Sequence, residues 1–160
     1  MKVWIIAVGT KMPGWVDMGF LDYAKRMPPV AKVHLIEVKA EKRSAGKSLK
    51  QILDAERVRI LAALPHNCRQ VALDESGQVL STEQFAHNLA KWMQAGRDVA
   101  FIIGGADGLH EQIMNHADNR LSLSAMTFPH ALARVILAEQ LYRAMSLMNN
   151  HPYHRSRRIS

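Results

Sequence analysis

Two textures of apolar residues alternate along the chain. Short runs rich in β-branched or small apolar residues lie at Val3–Val8, Val33–Val38, Gln70–Leu73, Asp98–Ile103 and Arg120–Ser124. They have the length and composition of strands buried in a sheet. Between them, apolar residues recur at helical spacing. Trp15, Met18 and Leu21 follow Pro13, which a first helical turn tolerates, and Pro28-Pro29 closes that stretch after Met27. Ser48 is placed to cap a helix carrying Ile52, Leu53, Ile60, Leu61 and Leu64 up to Pro65. Ser81 with Gln84 forms a capping-box pattern ahead of Phe85, Leu89, Trp92 and Met93, and Gly96 ends that helix. A short helix is predicted near His110–Ala117, and Pro129 opens a last one reaching about Met148. Asp74-Glu75-Ser76-Gly77 reads as a turn, and Ala125–Phe128 as a loop.

The order is strand then helix, five times over, with no linker or repeat. This is the α/β class: a mostly parallel sheet with helices on both faces. Residues 1–160 read as a single domain with a short basic tail from about 149 to 160. Ligands of such sheets bind beyond the carboxyl ends of the strands, so the loops after strands three, four and five are the ones that matter. The last helix is apolar nearly all round, with Leu132, Ile136, Leu137, Leu141, Met145, Leu147 and Met148. Such a helix needs burial on every side. A homodimer through it is the expected solution, and a central position within one subunit is the alternative.

Charge adds a partner class. Lysine and arginine outnumber acids by 21 to 14, a formal charge of +7, which draws polyanions. Lys39, Lys42, Arg43, Lys47 and Lys50 crowd one stretch, and Arg155, Arg157 and Arg158 another. No apolar run approaches the ~20 residues of a membrane span. The start of the chain does not read as a signal peptide. A single cysteine, Cys68, forms neither an internal disulfide nor a thiolate zinc cluster. A cytoplasmic protein without membrane or metal partners is expected.

Several motifs reduce to ordinary features. Gly46-Lys47-Ser48 imitates the end of a phosphate loop, but Glu41 stands where its first glycine belongs. His110-Glu111 lacks the second zinc histidine, since Met114 occupies that place. Gly104-Gly105-Ala106-Asp107-Gly108 lacks dinucleotide spacing; paired glycines at a strand end serve a tight turn or a ligand wall equally well. His151-Pro152-Tyr153-His154-Arg155 groups a proton acceptor, a phenol and a guanidinium, and is either a basic tail or a reaction centre.

Four motifs in order carry a resemblance over essentially the whole chain. They are Val8-Gly9-Thr10-Lys11-Met12-Pro13, Ile103 to Leu109, Leu121 to His130, and Asn150-His151-Pro152-Tyr153-His154-Arg155. In these the chain resembles the SPOUT-class pseudouridine N3-methyltransferases of large-subunit ribosomal RNA. The resemblance implies a C-terminal trefoil (α/β) knot, a homodimer, and S-adenosylmethionine as methyl donor. It implies methylation of N3 of a pseudouridine in the helix 69 loop of 23S rRNA, on assembled ribosomes. It assigns the donor pocket to Leu73, Gly104, Leu123, Ser124, Ala125, Met126, Thr127 and Phe128. His154, Arg155 and Tyr153 are the catalytic candidates. Ala106-Asp107 departs from the family's usual Pro-Glu. A non-catalytic ribosome-binding or assembly factor is the competing reading, and a small-molecule α/β enzyme a third.

Overall fold

A computed structural model describes residues 1–155; Arg157 and Arg158 of the basic tail lie outside the described residues. Five strands, β1 (Val3–Val8), β2 (Val33–Val38), β3 (Arg69–Val79), β4 (Val99–Ile103) and β5 (Asn119–Ser122), form one sheet in the order β2-β1-β4-β3-β5. Every pairing is parallel. The helices are α1 (Gly14–Ala24), α2 (Leu49–Ala63), α3 (Thr82–Ala95), α4 (Glu111–His116) and α5 (His130–Met148), with a 3-10 turn at Pro29–Ala31.

Helices cover both faces, as the βα alternation predicts. On one side α1, α3 and α5 bring Phe20, Phe85, Leu89, Trp92, Leu137 and Leu141 onto Val3, Ile5, Val71, Val99 and Phe101. On the other, Ile60 of α2 and Ile113 of α4 meet Ile6, Val8, Ala72, Ala100 and Ile102. Neighbouring strand residues thus face opposite cores, which is why β1 and β4 are apolar throughout rather than alternating. The predicted Ser81 capping box forms and the predicted Ser48 cap proves to be one as well: the Ser48 and Ser81 hydroxyls accept from the backbone N–H of Gln51 and Gln84, each at 3.1 Å. The two glutamine side chains accept in return from the cap backbone at 2.8 and 2.9 Å.

Two boundaries differ from expectation. Asp74–Gly77 is no turn after a finished strand, because β3 resumes beyond it. The register to β5 jumps from Leu73 to Gln78, both opposite Leu121, so residues 74–77 bulge outward between two paired segments. Gly77 is required there: a Cβ would lie 2.7 Å from the Leu121 carbonyl carbon. β5 ends at Ser122 rather than Ser124, which hands Leu123 and Ser124 to the following loop.

α5 sits between α1 and α3 and reaches β4. Each of its residues is buried or half-buried. The chain itself therefore supplies much of the covering that its apolar circumference demands. Trp15 and Met18 on the adjoining α1 remain 58% and 75% exposed.

Candidate active site

The bulge of β3 and the carboxyl ends of β4 and β5 converge on one cavity of about 590 Å³. Its apolar wall comes from Leu73, Ile103, Leu121, Leu123, Met126 and Phe128; Asp74 and Glu75 bring carboxylates. Gly104 and Gly105 let the backbone turn sharply at the end of β4. A Cβ on Gly104 would stand 2.4 Å from the Gly108 carbonyl oxygen, so only glycine fits that approach. The turn is closed by the Gly108 N–H donating to the Gly105 carbonyl at 3.1 Å.

The loop after β5 is braced by its own serines. Ser122 Oγ donates to the Ser124 carbonyl at 2.7 Å, and the Met126 N–H donates to Ser124 Oγ at 3.0 Å. Thr127 Oγ1 donates to Glu75 Oε2 at 3.3 Å, tying this loop to the β3 bulge across the rim. Apolar walls suit a flat heterocycle, and carboxylates suit hydroxyls or a cationic centre. A second cavity of about 300 Å³ shares Leu121–Ser124 and Phe128 with the first, and is closed by Phe85, Ile136 and Gln140.

Of the residues assigned to the pocket by resemblance, Leu73, Gly104, Leu123, Ser124, Met126, Thr127 and Phe128 line the larger cavity. Ala125 lies exposed in the same loop and does not line it. Sequence reasoning missed Asp74, Glu75, His130 and Ala133, which also face it. The acidic pair carried a signal, but one that was absorbed into a presumed turn.

Ion pairs underpin the surrounding loops. Arg134, 1% exposed, donates to Glu37 Oε2 at 2.6 Å and to the Gly9 carbonyl at 3.3 Å, joining α5 to the ends of β1 and β2. His110 Nδ1 accepts from the Gln112 N–H at 2.9 Å, so its Nε2 carries the proton facing Asp54 Oδ1 at 2.8 Å. That contact holds the glycine segment's end against α2. Arg43 of the basic loop pairs with the Asp107 carboxylate beside the same glycines.

The tail residues assemble elsewhere. Glu139 Oε1 accepts from Arg143 Nε at 2.7 Å and from the Tyr153 hydroxyl at 3.2 Å. The Arg143 guanidinium lies 4.7 Å from the Tyr153 ring centre, a cation–π contact, and the Tyr142 ring meets the same ring edge-on. Burial and the Glu139 charge push the Tyr153 phenol up to about 12. For Arg143, burial works against the charge and is the largest single influence, yet the Glu139 hydrogen bond, the Glu139 charge and the nearby Tyr153 and Tyr23 together outweigh it, and the guanidinium is held above its ordinary value. His154 Nε2 lies 3.1 Å from Glu83 Oε1, and its Nδ1 lies 3.4 Å from an Arg143 nitrogen. Arg155 is exposed. None of Tyr153, His154 and Arg155 lines the cavity of its own chain.

Residues 1–154 match the family model described as predicted SPOUT methyltransferase. The chain belongs to the SPOUT methyltransferase family. Among relatives of this SPOUT chain, proteins named ribosomal RNA large subunit methyltransferase H occur in Burkholderia lata and Nitrosospira multiformis. They are 55% and 54% identical to it over 156 residues, covering 98% of this chain and 100% of each relative. The SPOUT chain also shares its fold with a probable methylase family protein from Haemophilus influenzae. That match has a TM-score of 0.55 at 12% identity and covers 99% of this chain and 72% of the other.

Proposed function

We propose that this protein is a single-domain, cytoplasmic, S-adenosylmethionine-dependent methyltransferase. Its substrate is N3 of a pseudouridine in the helix 69 loop of 23S rRNA, taken on assembled ribosomes. The observation that carries the reading is the convergence of the β3 bulge and the loops after β4 and β5 on one cavity. Family membership supports the reaction class, and the names of relatives more than 50% identical support large-subunit ribosomal RNA as the substrate class.

The cavity suits the donor. S-adenosylmethionine carries an adenine, ribose hydroxyls and cationic sulfonium and ammonium groups, and the lining offers apolar side chains beside Asp74 and Glu75. Leu73, Gly104 and the Leu123–Phe128 loop would hold it. When bound, it supplies an already activated methyl group, so the protein has to align the nucleophile and dispose of one proton. Pseudouridine N3 bears that proton. His154 accepts it, Arg155 stabilises the developing anion or a nearby phosphate, and Tyr153 orients the base.

The tail works on the cavity of a second copy. Its residues lie outside their own chain's cavity, and Trp15 and Met18 leave apolar surface beside α5, which supports a homodimer through that helix and its neighbour. Single-turnover methylation at saturating substrate tests the role of His154: His154→Ala loses at least about a hundredfold, and a rate near wild type removes it from the mechanism. The same position of the tail suits a ribosome-binding factor without chemistry. Calorimetry separates the two, because only the enzyme binds S-adenosylmethionine.

A further inference from the structure

We propose that Glu83, in the first turn of α3, is a positioning residue that fixes the tautomer of His154 and supports its imidazolium. The inference rests on the reading above, in which the tail takes the N3 proton. Its basis is a pair of contacts to the two ring nitrogens that a single neutral tautomer satisfies together. An arginine can only donate, so the His154 nitrogen facing Arg143, Nδ1, presents a lone pair. The proton of the neutral ring then sits on Nε2 and is donated to Glu83 Oε1 at 3.1 Å.

Each partner is held in turn. Arg143 gives its Nε and one terminal nitrogen to Glu139 Oε1, at 2.7 and 2.6 Å, and stacks on Tyr153. Only its remaining edge is turned to His154. Glu83 lies within the Ser81–Gln84 capping box, which fixes the backbone from which it projects. A carboxylate in a first helical turn also suits the helix dipole.

The arrangement defines the step. The N3–H bond of the base breaks toward His154 Nδ1, and the electron pair left on N3 forms the new bond to the methyl carbon. The sulfur–carbon pair leaves with sulfur as a neutral thioether. His154 becomes an imidazolium that keeps its Nε2–H on Glu83 and later gives the Nδ1 proton to water. At 3.4 Å the Arg143 contact to Nδ1 is long, so an incoming base displaces it readily. Glu83, itself half exposed, thus orients the ring in the way that the carboxylate of a catalytic triad orients its histidine.

The test uses the full-length protein with ribosomes lacking the modification. Nitrogen-15 NMR of His154 should show the Nε2–H tautomer in the wild type and in Glu83→Asp, and a mixture of tautomers in Glu83→Ala. Single-turnover methylation should fall about tenfold or more in Glu83→Ala and recover in Glu83→Asp. The double variant Glu83→Ala/His154→Ala should be no slower than His154→Ala. A wild-type rate and tautomer in Glu83→Ala, with His154→Ala slow, overturns the assignment of Glu83 alone. So does a double variant slowed by the product of the two single effects, which marks Glu83 as merely structural. A wild-type rate in His154→Ala overturns the tail reading itself and this inference with it.

Discussion

Replacing Gly104 by alanine puts the cavity under the most direct strain. The new Cβ would stand 2.4 Å from the Gly108 oxygen and 2.5 Å from its carbonyl carbon, both backbone atoms. Relief means moving the Gly105–Gly108 turn by most of an ångström, against the hydrogen bond that closes it at 3.1 Å. Overpacking of this kind costs about 1–3 kcal/mol. If the displaced turn is the wall that contacts the donor, that cost appears as a loss of affinity of about 5-fold to 150-fold. Calorimetric titration with S-adenosylmethionine reads it, with a thermal melt to separate unfolding from weakened binding. Gly14→Ala is the control, since a Cβ there meets nothing within 4 Å. A folded Gly104→Ala protein that binds the donor as tightly as the control does would refute the placement of the ligand against this turn.

Three further outcomes follow from the geometry. Arg134→Met removes the buried guanidinium that ties α5 to the exposed Glu37 and to the Gly9 carbonyl, and should cost about 1–2 kcal/mol in urea unfolding; an unchanged midpoint would deny the pair its structural role. Because the folded Tyr153 phenol is raised to about 12, it keeps its proton where an unfolded tyrosine near 10 has lost one. The folded state then binds more protons across that window, so this contribution to stability is whole below pH ~10 and is lost as pH rises toward ~12. Phenolate absorbance in a Tyr23→Phe/Tyr142→Phe protein should show the late titration, and a midpoint near 10 would contradict it. Met18→Glu places a charge on the exposed apolar face of α1 and should shift the protein toward monomer in sedimentation, with methylation falling alongside; an unchanged sedimentation profile excludes that face from the dimer.

The centre of the sheet is legible because β1 and β4 are short apolar runs, and the long helices α2, α3 and α5 because each announces its start, through Ser48, Ser81 or Pro129. Those are local signals. β3 was read too short because its second segment is defined by Gln78 and Val79 pairing with Leu121 and Ser122, a contact distant in sequence that no local pattern encodes. The same limit hid Arg134, whose partner Glu37 lies 97 residues away. The all-round apolarity of α5 correctly signalled burial, but not which surfaces provide it; α1 and α3 of the same chain share in it. For the cavity, the rule that looks beyond strand ends pointed to the loops after β4 and β5, and these line it together with the β3 bulge. The pairing of Tyr153 and His154 with Glu139 and Glu83 needed coordinates, since three separate segments meet there.

The central claim is that this cavity presents a methyl donor to one ribosomal nucleotide. Ribosomes from cells lacking the protein, incubated with it and methyl-labelled S-adenosylmethionine, followed by mass spectrometry of the 23S rRNA fragments, test that claim most directly. The label is expected on N3 of a single pseudouridine in the helix 69 loop. Label at another position, or none transferred by folded, donor-saturated protein, would contradict it.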